Sequence, residues 1–236
     1  MPPLALHRLP CLRKAAQPWL SPCTPELTRH ALGLCGFKPK DRLLDVGCGA
    51  GSALRLITRE FSMTGLGLDM ARDYLYQAKT QEPGLFLIQA DIQKRLPLQD
   101  HSLEGILCQC VLSLLAKPRK TLHEFHRILK LNGFLIIMDL HLKNPTPEIQ
   151  NSGLECCFTR AVSPKAGQTR LAETGFRLLE YEDRTRLLAE LGARLIFECG
   201  SMNAFWDLAL GSQEPVFRAK LKKAKPGFHL MIAQAI

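Results

Sequence analysis

Leu43-Leu44-Asp45-Val46-Gly47-Cys48-Gly49-Ala50-Gly51 decides how this chain is read. An apolar run ends in an acid, and three glycines follow at alternate positions. Beyond them Leu54, Ile57 and Phe61 recur at helical spacing. The pattern predicts a buried strand, a tight turn and a helix start. Glycines let the chain turn sharply and bring bare backbone against a ligand, and a helix N-terminus adds unpaired N–H groups at the same spot. A dinucleotide site would read G-x-G-x-x-G, with a pyrophosphate on the helix dipole. Here the spacing is G-x-G-x-G, Ser52 stands where the third dinucleotide glycine belongs, and Asp45 lies two residues before the first glycine. A carboxylate there repels a pyrophosphate and suits a ligand bearing an ammonium group.

Outward from this motif, strand and helix patterns alternate. Strands are predicted over Arg42–Val46, Thr64–Asp69, Leu85–Asp91, Leu103–Cys108 and Phe134–Leu140, with helices near Ser52–Phe61, Ala71–Lys79 and Arg119–Leu131. Pro118 opens the last helix and Asn132-Gly133 punctuates its end. A lead-in helix over Thr24–Cys35 has Thr24 as N-cap, Pro25 at its first position and Gly36 at its stop. Such alternation gives a parallel sheet covered on both faces, with ligands at the carboxyl ends of the strands where the winding reverses. In the second half Ser163-Pro164 opens a short helix, Phe176–Glu182 reads as a strand, and a long helical stretch puts Leu188, Leu191, Leu195 and Cys199 on one face. Pro226-Gly227 then turns into an apolar closing strand over Phe228–Ile236.

At 236 residues the chain fits one domain, 1–236, with 46% apolar and 22% charged residues. No apolar run approaches the length of a membrane span. Met1 to Lys14 holds three prolines with His7 and Arg8, and lacks the apolar core of a secretory signal. Nine cysteines, an odd number without a C-x-x-C pair, read as reduced thiols in a cytoplasmic protein, and no zinc spacing occurs. The net charge of +9 is concentrated at the two ends of the chain. Residues 1–40 hold six Lys/Arg against Glu26, while Arg218, Lys220, Lys222, Lys223 and Lys225 cluster near the C-terminus, beside Phe217, Leu221 and Ala224 on one helix face. That is a docked helix with a solvated flank, and aromatic residues are too few to suggest nucleic-acid binding.

The glycine turn with Asp45, followed by Asp69 and Asp91 at the next two strand ends, resembles class I S-adenosylmethionine-dependent methyltransferases. The resemblance implies a Rossmann-like α/β fold: a seven-stranded, mostly parallel sheet with helices on both faces and an antiparallel last strand beside the sixth. It divides the chain into a lead-in helix region (1–40), a cofactor-binding half (41–140) and a substrate-side half (141–236). A helical insert at 184–225 would roof the substrate site, with residues 1–30 and 141–162 completing the cap. The implied cofactor is S-adenosyl-L-methionine. Asp45 would balance its ammonium group, and Gly47, Cys48, Gly49 and Gly51 would offer it backbone. Asp69, with Met70 beside it, would accept from both ribose hydroxyls, since a carboxylate has lone pairs for both. Asp91 would accept from the adenine amino group with Ile92 beside the ring, and Gln109 would lie along the cofactor.

Within that group the segment Leu107–Leu112 and the fifth strand are similar to the branch holding ubiquinone-type C-methyltransferases and arsenite methyltransferases. Cys157 and Ala161 stand where the arsenite enzymes have a Cys and an Ala, although Arg160 replaces a glycine. Trivalent arsenic prefers about three converging thiolates, so Cys156, Cys157 and Cys199 are ligand candidates if the acceptor is a metalloid; otherwise no metal is expected. An ordinary small organic acceptor is the main reading. Methyl transfer needs alignment, exclusion of water and, for some acceptors, a proton acceptor. His141, just past the fifth strand, and then Asp139 are the candidates for that role. The rivals are a dinucleotide-dependent oxidoreductase and a non-catalytic scaffold that keeps the cofactor. Neither the acceptor nor the oligomeric state is legible.

Overall fold

The computed structural model describes residues 6, 9–16, 22–152, 154, 156–211 and 214–236, so Glu155 and much of the N-terminal part of the expected cap lie outside it. Two helices lead in, α1 (Pro10–Ala15) and α2 (Pro25–Cys35). Thr24 caps α2 by accepting from the Leu27 amide at 3.2 Å, and Gly36 closes it at φ +63°. There follow β1 (Arg42–Val46), α3 (Ser52–Glu60), β2 (Thr64–Asp69), α4 (Arg72–Gln81), β3 (Phe86–Gln89), β4 (Leu103–Gln109), α5 (Pro118–Ile128) and β5 (Leu129–Leu142). The second half contributes α6 (Pro147–Gln150), α7 (Cys157–Arg160), α8 (Pro164–Ala172), β6 (Phe176–Asp183), α9 (Thr185–Cys199), α10 (Met202–Leu210), α11 (Glu214–Ala224) and β7 (Pro226–Ala235).

The seven strands form one sheet in the order β3-β2-β1-β4-β5-β7-β6. β1 to β5 run parallel, and β7 enters antiparallel between β5 and β6. The seven-stranded, mostly parallel, helix-covered sheet expected from the resemblance is therefore present. Parallel strands buried on both faces must be apolar throughout, and Leu43, Leu44, Ile106, Leu107, Ile136 and Met138 are fully buried. One face packs α5 and α8 around Phe125, Ile128 and Phe176, and the other packs α2 and α3 around Leu32, Ile57 and Phe228. A separate apolar cluster joins α1, α6, α7 and the three helices between β6 and β7.

Several boundaries differ from the sequence pattern, among them the head of β7, where Pro226-Gly227, read as a turn, already pairs with Leu142 and His141. α5 ends at Ile128, three residues before the predicted stop at Leu131, and Asn132-Gly133 lies inside β5 instead of ending the helix. Leu129 is extended, fully buried and paired with Leu103, so the chain leaves the helix to enter the sheet there. Asn132 at φ +64° then accommodates the register shift against β4. β3 spans only Phe86–Gln89, because an edge strand with Phe86 64% exposed has less core to hold it.

Candidate functional site

β1 lies between β2 and β4, where the strand order reverses, so the crevice beyond its carboxyl end is the default ligand position in such a sheet. The glycine turn fills that end. Gly47, Gly49 and Gly51 have φ of +69°, +51° and +78°, values that side chains disfavour. The amides of Gly47 and Cys48 both donate to the Leu68 carbonyl, at 2.7 and 3.0 Å, which anchors the turn to β2. A Cβ on Gly47 would lie 2.6 Å from Val111 Cγ2, so the loop after β4 closes over the turn. Gly51 N-caps α3 without a side-chain acceptor, and the first turn of that helix holds no acid.

Asp45 is buried, and its Oδ2 has no hydrogen-bond partner among the described residues. Burial, with the nearby Asp69 carboxylate adding to it, pushes its pKa up to about 7. A buried carboxyl oxygen without a donor costs free energy until a cation or donor arrives. Asp69 is placed differently: Oδ2 accepts from the Gly49 amide at 2.9 Å and Oδ1 from the Ala71 amide at 2.8 Å. Each oxygen keeps a lone pair. Asp91 Oδ1 accepts from the Gln93 amide at 2.9 Å, and Ile92 is buried in the core beneath it. Met70, after Asp69, is 71% exposed beside the crevice that β2 helps to form. Cys48 is a buried thiol whose pKa is raised by burial and by Asp45 and Asp69, so it packs as a small apolar group.

Gln109 is the last residue of β4. Its Nε2 donates to Thr28 Oγ1 of α2 at 2.9 Å and lies 3.3 Å from Met138 Sδ. Thr28 in turn donates to the Thr24 carbonyl at 3.1 Å. The lead-in helix is thus tied to the crevice, a pairing that no local sequence signal announces. α1 makes two further contacts: the Arg13 guanidinium lies 5.7 Å from the centroid of the Tyr74 ring on α4, and Lys14 pairs with Glu198 of α9 at 2.6 Å. α1 therefore touches both the β2–α4 side and the insert.

Asp139 is buried in β5 with its oxygens engaged. Oδ2 accepts from the Ser113 amide at 2.9 Å, and Oδ1 accepts from Ser113 Oγ at 2.5 Å and from the Leu140 amide at 2.7 Å. Burial raises its pKa against those bonds. Ser113 was not singled out from the sequence, where a lone serine in an apolar stretch carries no signal. His141 lies inside β5, not beyond it, because pairing of β5 with β7 continues to Leu142. It is fully buried and stacked on His229, with 3.2 Å between the two Nδ1 atoms. Its Nε2 has no partner among the described residues and sits where a Cβ on Gly227 would lie only 2.5 Å away. Burial lowers both imidazole pKa values, that of His229 to about 3 with His141 as the second cause.

The three candidate thiols have separate roles. The Cys156 amide donates to Thr159 Oγ1 at 3.2 Å and starts α7. Cys157 packs where the cap cluster meets the sheet, and Phe158 does the same. Cys199 sits at the end of α9 against Cys11 of α1. Among the described residues no three thiol, imidazole or carboxylate groups are gathered to hold a metal ion. The cap helices put Phe158, Phe205, Trp206 and Phe217 into one apolar cluster.

Residues 44–137 match the family described as a methyltransferase domain. The chain is 29% identical over 122 residues to a 2-phytyl-1,4-naphtoquinone methyltransferase of Nostoc sp., covering 48% of this chain and 53% of that one. It is 30% identical over 170 residues to an O-methyltransferase of Pyrenophora dematioidea, covering 68% of this chain and 63% of the other. The chain spans about half the length, or less, of the curated relatives it first matches. Phosphoethanolamine N-methyltransferase 2 of Haemonchus contortus, solved with S-adenosyl-L-methionine, superposes with a TM-score of 0.74 at 18% identity, over 95% of this chain and 56% of that one. That likeness is one of fold.

Proposed function

We propose that this chain, whose residues 44–137 are a methyltransferase domain on a class I methyltransferase fold, moves a methyl group from S-adenosyl-L-methionine to a small-molecule acceptor. The observation that carries the reading is Asp45: a buried carboxyl oxygen without a donor, beside a turn of three glycines in left-handed geometry. A cationic, phosphate-free ligand satisfies both, whereas a dinucleotide would bring a pyrophosphate against Asp45.

The residues fit that cofactor. Asp45 would hold the ammonium group, and the backbone of Gly47, Cys48, Gly49 and Gly51 would line the methionyl side. Asp69 keeps two lone pairs for the ribose hydroxyls while its other pair of bonds fixes the loop. Asp91, Ile92 and Met70 would bound the adenine, and Gln109 retains its amide oxygen for the cofactor while its nitrogen is held by Thr28. When bound, the sulfonium supplies an activated methyl group. The chain's work is then to align and to exclude water. The cap of α1, α7, α9 and α10 does this with an apolar lining, which favours an apolar acceptor. Asp139 would act by positioning, since its bonds hold the loop after β4 against β5. His141 reaches a substrate proton only if the head of β7 at Gly227 gives way, so an acceptor that ionises easily or carries a free lone pair suits the site best. Nine cysteines, an odd number without a C-x-x-C pair, support a reducing, cytoplasmic setting.

Calorimetric titration with S-adenosyl-L-methionine, S-adenosylhomocysteine and NAD, on the wild type and on Asp45→Asn, tests the reading. Saturable binding of the first two, lost in the variant, is expected; binding of NAD in preference to either would sink it. Release of S-adenosylhomocysteine with quinol, phenol and amine acceptors then identifies the acceptor class.

A further inference from the structure

The helices between β6 and β7 turn apolar side chains outward. Phe197 at the end of α9 is 87% exposed, Leu208 of α10 is 65% exposed and Val216 of α11 is 63% exposed. α11 buries Phe217, Leu221 and Ala224 in the cap cluster, which leaves Lys222 and Lys223 exposed, with Lys225 exposed just beyond its end. Between α10, α11 and the head of β7 lies a groove of about 460 Å³. Trp206, Pro215, Ala219 and Leu221 give it apolar walls, and Arg218 and Lys222 border it. Residues 218–225 carry five Lys/Arg and no acid. The insert holds four acids: Glu190 is paired with Arg186 at 2.9 Å and Glu198 with Lys14 at 2.6 Å, Asp207 is exposed beside Leu208, and Glu214 opens α11, against the five Lys/Arg of residues 218–225. Glu148 of α6 faces Lys220 and Lys223 and offsets part of the charge.

We infer that this outer face of the insert docks on an anionic phospholipid surface. Each part of it has a use there. Aliphatic and aromatic side chains enter the headgroup region, lysines extend their stems along apolar surface with the ammonium in the aqueous layer, and a basic flank is drawn to anionic lipid. A second copy of the chain is a poorer occupant, because the same patch would bring like charges together. Nucleic acid makes no use of an exposed Leu208 and Val216. The inference does not depend on methyl transfer.

Co-sedimentation of the full chain with phosphatidylcholine vesicles, with and without phosphatidylglycerol, tests it in low and moderate salt. Retention is expected only with the anionic lipid, falling as salt rises. Lys222→Glu combined with Lys223→Glu should weaken retention about tenfold or more, and Phe197→Ser should weaken it without removing the salt dependence. Unchanged melting temperatures show that both variants fold, and Lys222→Gln with Lys223→Gln serves if the reversal does not. Equal retention on both vesicle types, no retention, or retention insensitive to the lysines overturns the proposal. Two further results do so in favour of another partner. One is an oligonucleotide held through these lysines while vesicles are not. The other is a dimer in light scattering that Phe197→Ser dissociates, again without vesicle retention.

Discussion

The Gly49 amide donates to Asp69 Oδ2 at 2.9 Å, so the end of β2 clamps the turn that follows β1. The same carboxylate holds the Ala71 amide at the start of α4, which makes one side chain the brace for two loops. Asp69→Ala should lose both bonds and about 2–3 kcal/mol of stability, together with ligand affinity. Asp69→Asn, which keeps one acceptor oxygen, should keep roughly half of the stability. Chemical denaturation of both variants without ligand checks the order; equal, small losses would show that the brace is not needed.

Asp45 makes a prediction with a sign. Its folded pKa, about 7, stands above the unfolded carboxylate value, so between roughly pH 4 and pH 7 the unfolded chain has released a proton that the folded chain retains. Stability of the ligand-free protein therefore falls as pH rises through that window, and stays low above it. Asp45→Asn should remove the slope and stabilise the free protein at pH 8, by on the order of a few kcal/mol, while ligand binding is lost. In the wild type, affinity for S-adenosyl-L-methionine should rise as pH goes from 6 to 8. Parallel stability curves for the two proteins across this range would refute the assignment.

Gly47 admits no side chain. At φ +69°, with a Cβ only 2.6 Å from Val111 Cγ2, Gly47→Ala adds both backbone strain and a clash. The expected loss is about 2–3 kcal/mol. Adding Val111→Ala should recover the part due to the clash and leave the part due to backbone. Recovery of full stability in the double variant would mean that the turn is not strained.

The stacked pair His141 and His229 should make the protein acid-sensitive. Both imidazoles have folded pKa values below the ordinary 6.5, so as pH falls from about 6.5 toward 3 the unfolded chain takes up protons that the folded pair resists. Stability is complete above that window and is lost on going down through it. Asp183 on β6 favours the charged forms, and Lys143 opposes protonation of His141. His229→Phe should flatten the fall in unfolding free energy between pH 6 and pH 4, by roughly 1 kcal/mol per pH unit near the midpoint, read by chemical denaturation. A wild-type slope retained in the variant would assign the effect to other groups.

The strands and the glycine turn were legible in the sequence, and the contacts that hold them were not. β1, the turn and the acids at the ends of β2 and β3 are local patterns, where residue type and spacing are set by backbone geometry. The fixing of Gln109 by Thr28 and of Asp139 by Ser113 spans distant stretches of chain, and a lone polar residue gives no hint of its partner. Asn132-Gly133 misled for another reason: the same left-handed geometry serves a helix stop and a bulge in a strand. His141 was misplaced because only β7, paired as far as Leu142, shows how far β5 runs. Cys199 faces Cys11 rather than Cys157, which periodicity within one helix could not show.

β7 occupies the interior of the sheet, and β6 has β7 as its one neighbour there. During synthesis the strands from β1 to β5 can pair as they emerge, but β6, although it packs on α5 and α8, has no strand to pair with until the insert and residues 226–235 have left the ribosome. The half that holds the glycine turn should therefore take shape first, with one flank of β5 still bare. Phe228, Leu230 and Ile232, all buried in the finished sheet, arrive last to seal it. Assembly order thus gives the final strand the role of a closing stave, and the three helices before it cannot settle until it is in place.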